Sequence, residues 1–83
     1  MTNYLQGVDL STDTATYRNE GRQRYYWNFD CKLHRLDGPA IIYETDKEYS
    51  WWVDGKLHRL DGPAYIDELN KKYSWCQMAN FIV

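Results

Sequence analysis

The chain has 83 residues, room for one small domain and none for a large buried active site. Its 10 basic and 12 acidic residues give a formal charge of -2, which excludes the basic footprint of a nucleic-acid binder. Aromatic residues are 17% of the chain (eight Tyr, four Trp, two Phe) against a mean hydropathy of -0.78, so large rings sit among polar neighbours, as in half-buried strands rather than a thick core.

Residues 1–11 show no strand or helix pattern and are expected to form an N-terminal arm or cap. The start, Met1-Thr2-Asn3-Tyr4-Leu5-Gln6, lacks the basic and apolar regions of a signal peptide, and no run approaches the roughly 18 apolar residues of a membrane span. The expectation is a cytoplasmic protein with no membrane partner. Cys31 and Cys76 have no Cys-x-x-Cys or Cys/His spacing, so free thiols are expected and neither a disulfide nor a zinc site.

Past the arm a 24-residue period takes over. Lys32 to Ala40 and Lys56 to Ala64 both read Lys-Leu-His-Arg-Leu-Asp-Gly-Pro-Ala. The same offset aligns Tyr25, Tyr49 and Tyr73, then Trp27, Trp51 and Trp75, then Ile42 with Ile66 and Glu44 with Glu68. The predicted single domain, 1–83, therefore divides into a degenerate half-repeat at 12–24, repeats at 25–48 and 49–72, and a truncated third repeat with a C-terminal cap at 73–83. Phe81 there takes the place of Leu33 and Leu57.

Each unit reads as strands. Tyr49-Ser50-Trp51-Trp52-Val53 is aromatic and β-branched, and Asp54-Gly55 suits a two-residue hairpin whose central residues both need positive φ. The chain returns through Lys56-Leu57-His58-Arg59, reverses again at Asp61-Gly62-Pro63, and resumes an extended run over Ala64-Tyr65-Ile66-Asp67. The predicted fold is all-β, an antiparallel meander of short strands. Cys31 stands where the second unit has Gly55, which predicts a different turn in the first hairpin, because positive φ is costly for a residue with a side chain.

Trp52-Val53-Asp54-Gly55-Lys56-Leu57-His58 resembles the Trp-x-x-Gly-Lys-x-His core of MORN repeats, which are β-hairpin units. The His-Arg-x-Asp-Gly-Pro-Ala segments that follow are similar to the MORN-like repeats of small proteins in tailed phages, giant viruses and some bacteria. The resemblance covers about Tyr25 to Cys76. It implies about two and a half hairpin units and a viral or mobile-element setting, which would place the protein in the host cytoplasm. It brings no common catalytic activity.

Residues two apart on a strand share a face, so Tyr25, Trp27 and Phe29, Tyr49, Trp51 and Val53, and Tyr73 with Trp75 are expected to form one aromatic core face. The opposite face does not recur, and its rings, Trp52, Tyr26, Tyr43 and Tyr65, are the candidate protein-binding surface together with Arg35 and Arg59. His34, Arg35, His58 and Arg59 are the alternative, a pocket for a small ligand or nucleotide. His-Arg-x-Asp also resembles a base with its orienting carboxylate, Asp37 or Asp61. Identical groups in successive units, however, read as a ladder holding turns in register, so no enzyme, cofactor or metal site is predicted. Phosphate binding at Arg35 or Arg59 is weighed against by the carboxylate close to nearly every cation.

The apolar end, Phe81-Ile82-Val83, is expected to fold back as a final strand or to pair with a second copy as a homodimer. The functional expectation is a non-enzymatic phage accessory protein that binds and inhibits a host protein or defence system, a CRISPR effector being the concrete version. The competing readings are a ligand-sequestering protein and a repeat used in assembling a larger particle.

Overall fold

Alternation of aromatic and polar residues, broken by Gly, Pro and Asp, yields short antiparallel strands. The computed structural model describes residues 4–75 and, among them, contains ten strands and no helix. The first half holds β1 (Tyr17–Asn19), β2 (Arg24–Tyr26), β3 (Asn28–Phe29), β4 (Lys32–Leu33) and β5 (Ile41–Tyr43). The second holds β6 (Glu48–Ser50), β7 (Trp52–Val53), β8 (Lys56–Leu57), β9 (Tyr65–Asp67) and β10 (Lys72–Ser74). The fold is an all-β antiparallel meander, as the sequence predicts.

One six-stranded sheet runs in the order β1-β2-β5-β6-β9-β10, while β3-β4 and β7-β8 form separate two-stranded hairpins. The aromatic runs are thus not continuous strands. Tyr49 and Ser50 belong to the sheet and Trp52 and Val53 to a hairpin, with Trp51 at the break. Trp51 still uses its backbone, donating N–H to Ala64 and accepting from His58, at 2.8 and 2.9 Å. Trp27 does the same between Ala40 and His34. The two hairpins are joined by bonds from Arg35 N–H to the Trp52 carbonyl and from Gly55 N–H to the Leu33 carbonyl.

Residues 24 apart occupy the same place in the sheet. Thr16, Ala40 and Ala64 donate to the carbonyls of Tyr26, Ser50 and Ser74, each at 2.8 Å. Gln23, Lys47 and Lys71 each end a strand-joining turn at positive φ.

The core lies on one side of the sheet. Tyr25, Ile42, Tyr49, Ile66 and Tyr73 face one another across successive strands. Ile42 and Ile66 are fully buried, which stabilises the fold by about 1.5–3 kcal/mol for each side chain. Trp27, Trp51, Ala40 and Ala64 extend the buried surface, and Tyr4, Leu5, Val8 and Leu10 of the arm pack against it. At the edge, β1 puts Arg18 opposite Tyr25, in the place taken by Ile42 and Ile66 further in. A cation at that point discourages another strand from adding to the edge.

Two expectations need correction. Phe29 is 69% exposed rather than part of the core, because its hairpin leaves the sheet, and Trp75, beyond the end of β10, is 49% exposed. The first hairpin keeps the turn of the second: Asp30 and Cys31 have φ of 55° and 63°, beside 53° and 78° for Asp54 and Gly55. Hairpin geometry imposes positive φ on Cys31 in spite of its side chain. Cys31 is a free, exposed thiol, whereas Cys76 and the tail Phe81-Ile82-Val83 lie outside the described residues, as does any pairing through that tail.

Candidate binding surface

Pairing register decides what shares the face opposite the core. One row across the sheet is Tyr17, Tyr26, Ile41, Ser50, Tyr65 and Ser74, and the next is Asn19, Arg24, Tyr43, Glu48, Asp67 and Lys72. Of the predicted binding rings, Tyr26, Tyr43 and Tyr65 stand in these rows. Trp52 joins them from the start of β7, its Nε1–H donating to Ser50 Oγ at 2.9 Å. All four are half-buried.

Tyr17, which the sequence reading passed over, stacks on Tyr26 with ring centroids 5.3 Å apart, and Tyr26 meets Tyr43 edge-on at 6.2 Å. The Tyr26 and Tyr43 hydroxyls are 3.4 Å apart, and that contact, followed by burial, raises the Tyr26 pKa. The Arg24 guanidinium lies 4.6 Å from the centre of the Tyr43 ring. Beyond Tyr43 the face opens into a groove of about 360 Å³ that includes Ile41, Glu48, Ser50, Trp52, Leu57 and Tyr65 in its lining. Burial first, then the nearby Glu48 carboxylate, raises the Tyr65 pKa. Ser50 is small and lies between Ile41 and Tyr65, which leaves the depression. Glu48 was not singled out from sequence, since its place beside Tyr43 and Tyr65 depends on register.

Arg35 and Arg59 are not on this face. Arg35 is buried over the Trp27 ring, 3.9 Å from its centre, and donates to Asp37 at 2.7 Å and to the Pro39 and Asp9 carbonyls at 3.2 and 3.3 Å. Arg59 repeats this over Trp51, donating to Asp61 and to the Pro63 and Tyr4 carbonyls. Each guanidinium thus stacks on its unit's Trp, closes its Asp-Gly-Pro turn and ties down the arm. The Arg35 cation holds the Asp37 carboxyl below its ordinary range. The motif glycine follows from the crowding: a Cβ on Gly38 would lie 2.7 Å from the Asp9 carbonyl oxygen, and one on Gly62 would lie 3.0 Å from Arg59 Cζ.

The histidines have separate roles. The Asp54 amide donates to His34 Nδ1 at 3.1 Å, with the Asp54 carboxylate 3.7 Å from the same nitrogen. His34 therefore fixes the turn of the neighbouring hairpin. His58 lines a cleft of about 530 Å³ with Gly7, Val8, Trp51 and the two motif turns. Three of the four residues of the alternative pocket, Arg35, His58 and Arg59, line this cleft, with both guanidinium groups already held by ring, carboxylate and carbonyl partners, whereas His34 lies outside its lining. Among the described residues no three His, Cys, Asp or Glu side chains cluster as metal ligands would, and no helix is long and apolar enough to cross a membrane. Leu36 and Leu60, exposed at the rim of the cleft, were overlooked although they recur in the motif.

No protein-family model, curated protein or solved structure matches the chain.

Proposed function

We propose that the chain is a non-enzymatic protein-binding module that engages its partner through the open face of the sheet. The observation that carries this reading is the gathering of Tyr17, Tyr26, Tyr43 and Tyr65 on the side away from the core, with Trp52 joining them through Ser50. Rigid rings with a polar tip are the side chains that anchor protein interfaces, since they bring large contact area at low entropic cost. The His-Arg-Leu-Asp-Gly-Pro-Ala segments have a structural use that accounts for their recurrence without catalysis. The MORN-like resemblance extends the proposal to an accessory protein of a phage that inhibits a host protein.

The test is capture from a host lysate on immobilised protein. The native chain retains a partner and the Trp52→Ala/Tyr65→Ala variant, checked for folding by its thermal transition, does not. Equal retention by both contradicts the assignment of this face.

A further inference from the structure

Among the described residues an arginine lies over an aromatic ring four times, Arg18 over Tyr25 being one. Arg35 lies over Trp27 with Asp37 on its Nε, and Arg59 over Trp51 with Asp61 on its Nε. Arg24 lies over Tyr43. At Arg35 and at Arg59 a ring face and a carboxylate together hold one guanidinium.

The groove on the open face has the same ingredients, with a cation only at its Tyr43 edge, where Arg24 already lies over that ring. Trp52 and Tyr65 supply rings, and Glu48 supplies a carboxylate that is half-buried beside them. Among the described residues, Glu48 has no lysine or arginine within ion-pair distance. Its partner in register is Asp67, another carboxylate, and like charges directly opposite on neighbouring strands repel. Asp67 is satisfied by the Asn70 amide and side chain, whereas Glu48 faces the groove beside the Tyr65 hydroxyl, with carboxylate lone pairs left for further donors. Ile41 and Leu57 supply apolar wall for an aliphatic stem.

We propose that this groove binds an arginine side chain presented by the partner, its guanidinium against the rings of Trp52 and Tyr65 and its N–H groups donating to Glu48. Arginine fits better than lysine because its planar, weakly hydrated head stacks on rings and offers several donors at once. The proposal rests on the open face being the binding surface, and makes the partner's contact segment basic.

The site can be tested on the isolated protein by following the Trp52 indole N–H by NMR. The probes are N-acetylarginine amide and N-acetylcitrulline amide, which have nearly the same shape but differ in charge. The expected result is a saturable shift with the arginine probe only, weakened about fivefold or more by Glu48→Gln. An equal response to both probes, or an unchanged affinity in a folded Glu48→Gln variant, overturns the proposal. Should that variant fail to fold, salt gives the second reading: raising ionic strength from about 50 mM to about 500 mM weakens native binding if the contact is ionic, and no change overturns it. Absence of any arginine response while native protein still captures a partner, lost in the double variant, removes this inference and leaves the broader reading. An arginine response without partner capture does the reverse.

Discussion

Trp51 and Trp52 are neighbours in the chain and lie in different environments. Trp51 is 7% exposed, carries Arg59 on its face and recurs as Trp27 one period earlier. Trp52 is half-buried, packing against the margin of the core cluster while lining the groove of the open face, and Asn28 stands at its place in the preceding unit. The same contrast holds for Tyr25 and Tyr49 in the core against Tyr26 and Ser50 on the open face. A packing position must be filled alike in each unit because stacked units share one core, whereas a surface that meets an external partner once has no need to repeat.

The largest effect that separates the two sides is expected at the buried ring. Trp51→Ala removes the plate under Arg59 and should cost about 3–5 kcal/mol, a large share of the stability of so small a domain. Trp52→Ala should cost much less and still unfold cooperatively. Denaturant midpoints for the pair check this, and equal losses would erase the distinction between the faces.

Arg59→Ala comes next. It leaves Tyr4 and Pro63 carbonyls without their donor and is expected to cost about 1.5–3 kcal/mol, with Arg59→Lys restoring little because an ammonium cannot stack and reach both carbonyls. Chemical denaturation of the two variants measures it, and full rescue by lysine would show that charge alone is required.

Acid should loosen the core side through Asp37. Its carboxyl is held below the ordinary value of 3.8, first by the hydrogen bond from Arg35, so its contribution is complete above that value and is lost as pH falls through the lower folded value. Asp67 behaves in the same direction through its bond from Asn70. On the alkaline side, burial raises Tyr49, so its contribution is complete below the ordinary value of 10.0 and is lost as pH rises through the higher folded value. Thermal midpoints of native protein and Asp37→Asn against pH should differ in slope below about pH 4. Parallel curves would assign the acid loss to other groups.

The smallest effect concerns the two hairpin turns. Cys31→Gly relieves a side chain at positive φ and is expected to stabilise by about 1 kcal/mol, while Gly55→Ala should destabilise by a similar amount. A destabilising Cys31→Gly would mean that the thiol has contacts outweighing the backbone cost.

Much of this organisation was legible in the residues. The Lys-Leu-His-Arg-Leu-Asp-Gly-Pro-Ala repeat sets the period, and Tyr-x-Trp spacing places Tyr25, Trp27, Tyr49 and Trp51 in the core. The break at Trp51 was not legible, because a run of five β-formers has the same local preference whether it stays in one sheet or passes into a hairpin. The arginines were misplaced for a related reason: charge predicts exposure, but stacking on Trp and bonds to carbonyls bury Arg35 and Arg59. Glu48 and Tyr17 entered the candidate surface only through pairing register, which joins residues from separate strands.

The central claim is that the open face and not the core face meets the partner. The direct measurement is the set of tryptophan indole N–H resonances of the protein before and after adding the captured partner. The account predicts that the Trp52 signal moves while those of Trp27 and Trp51 hold their positions. A complex that forms with Trp52 unmoved and Trp27 or Trp51 displaced would contradict it.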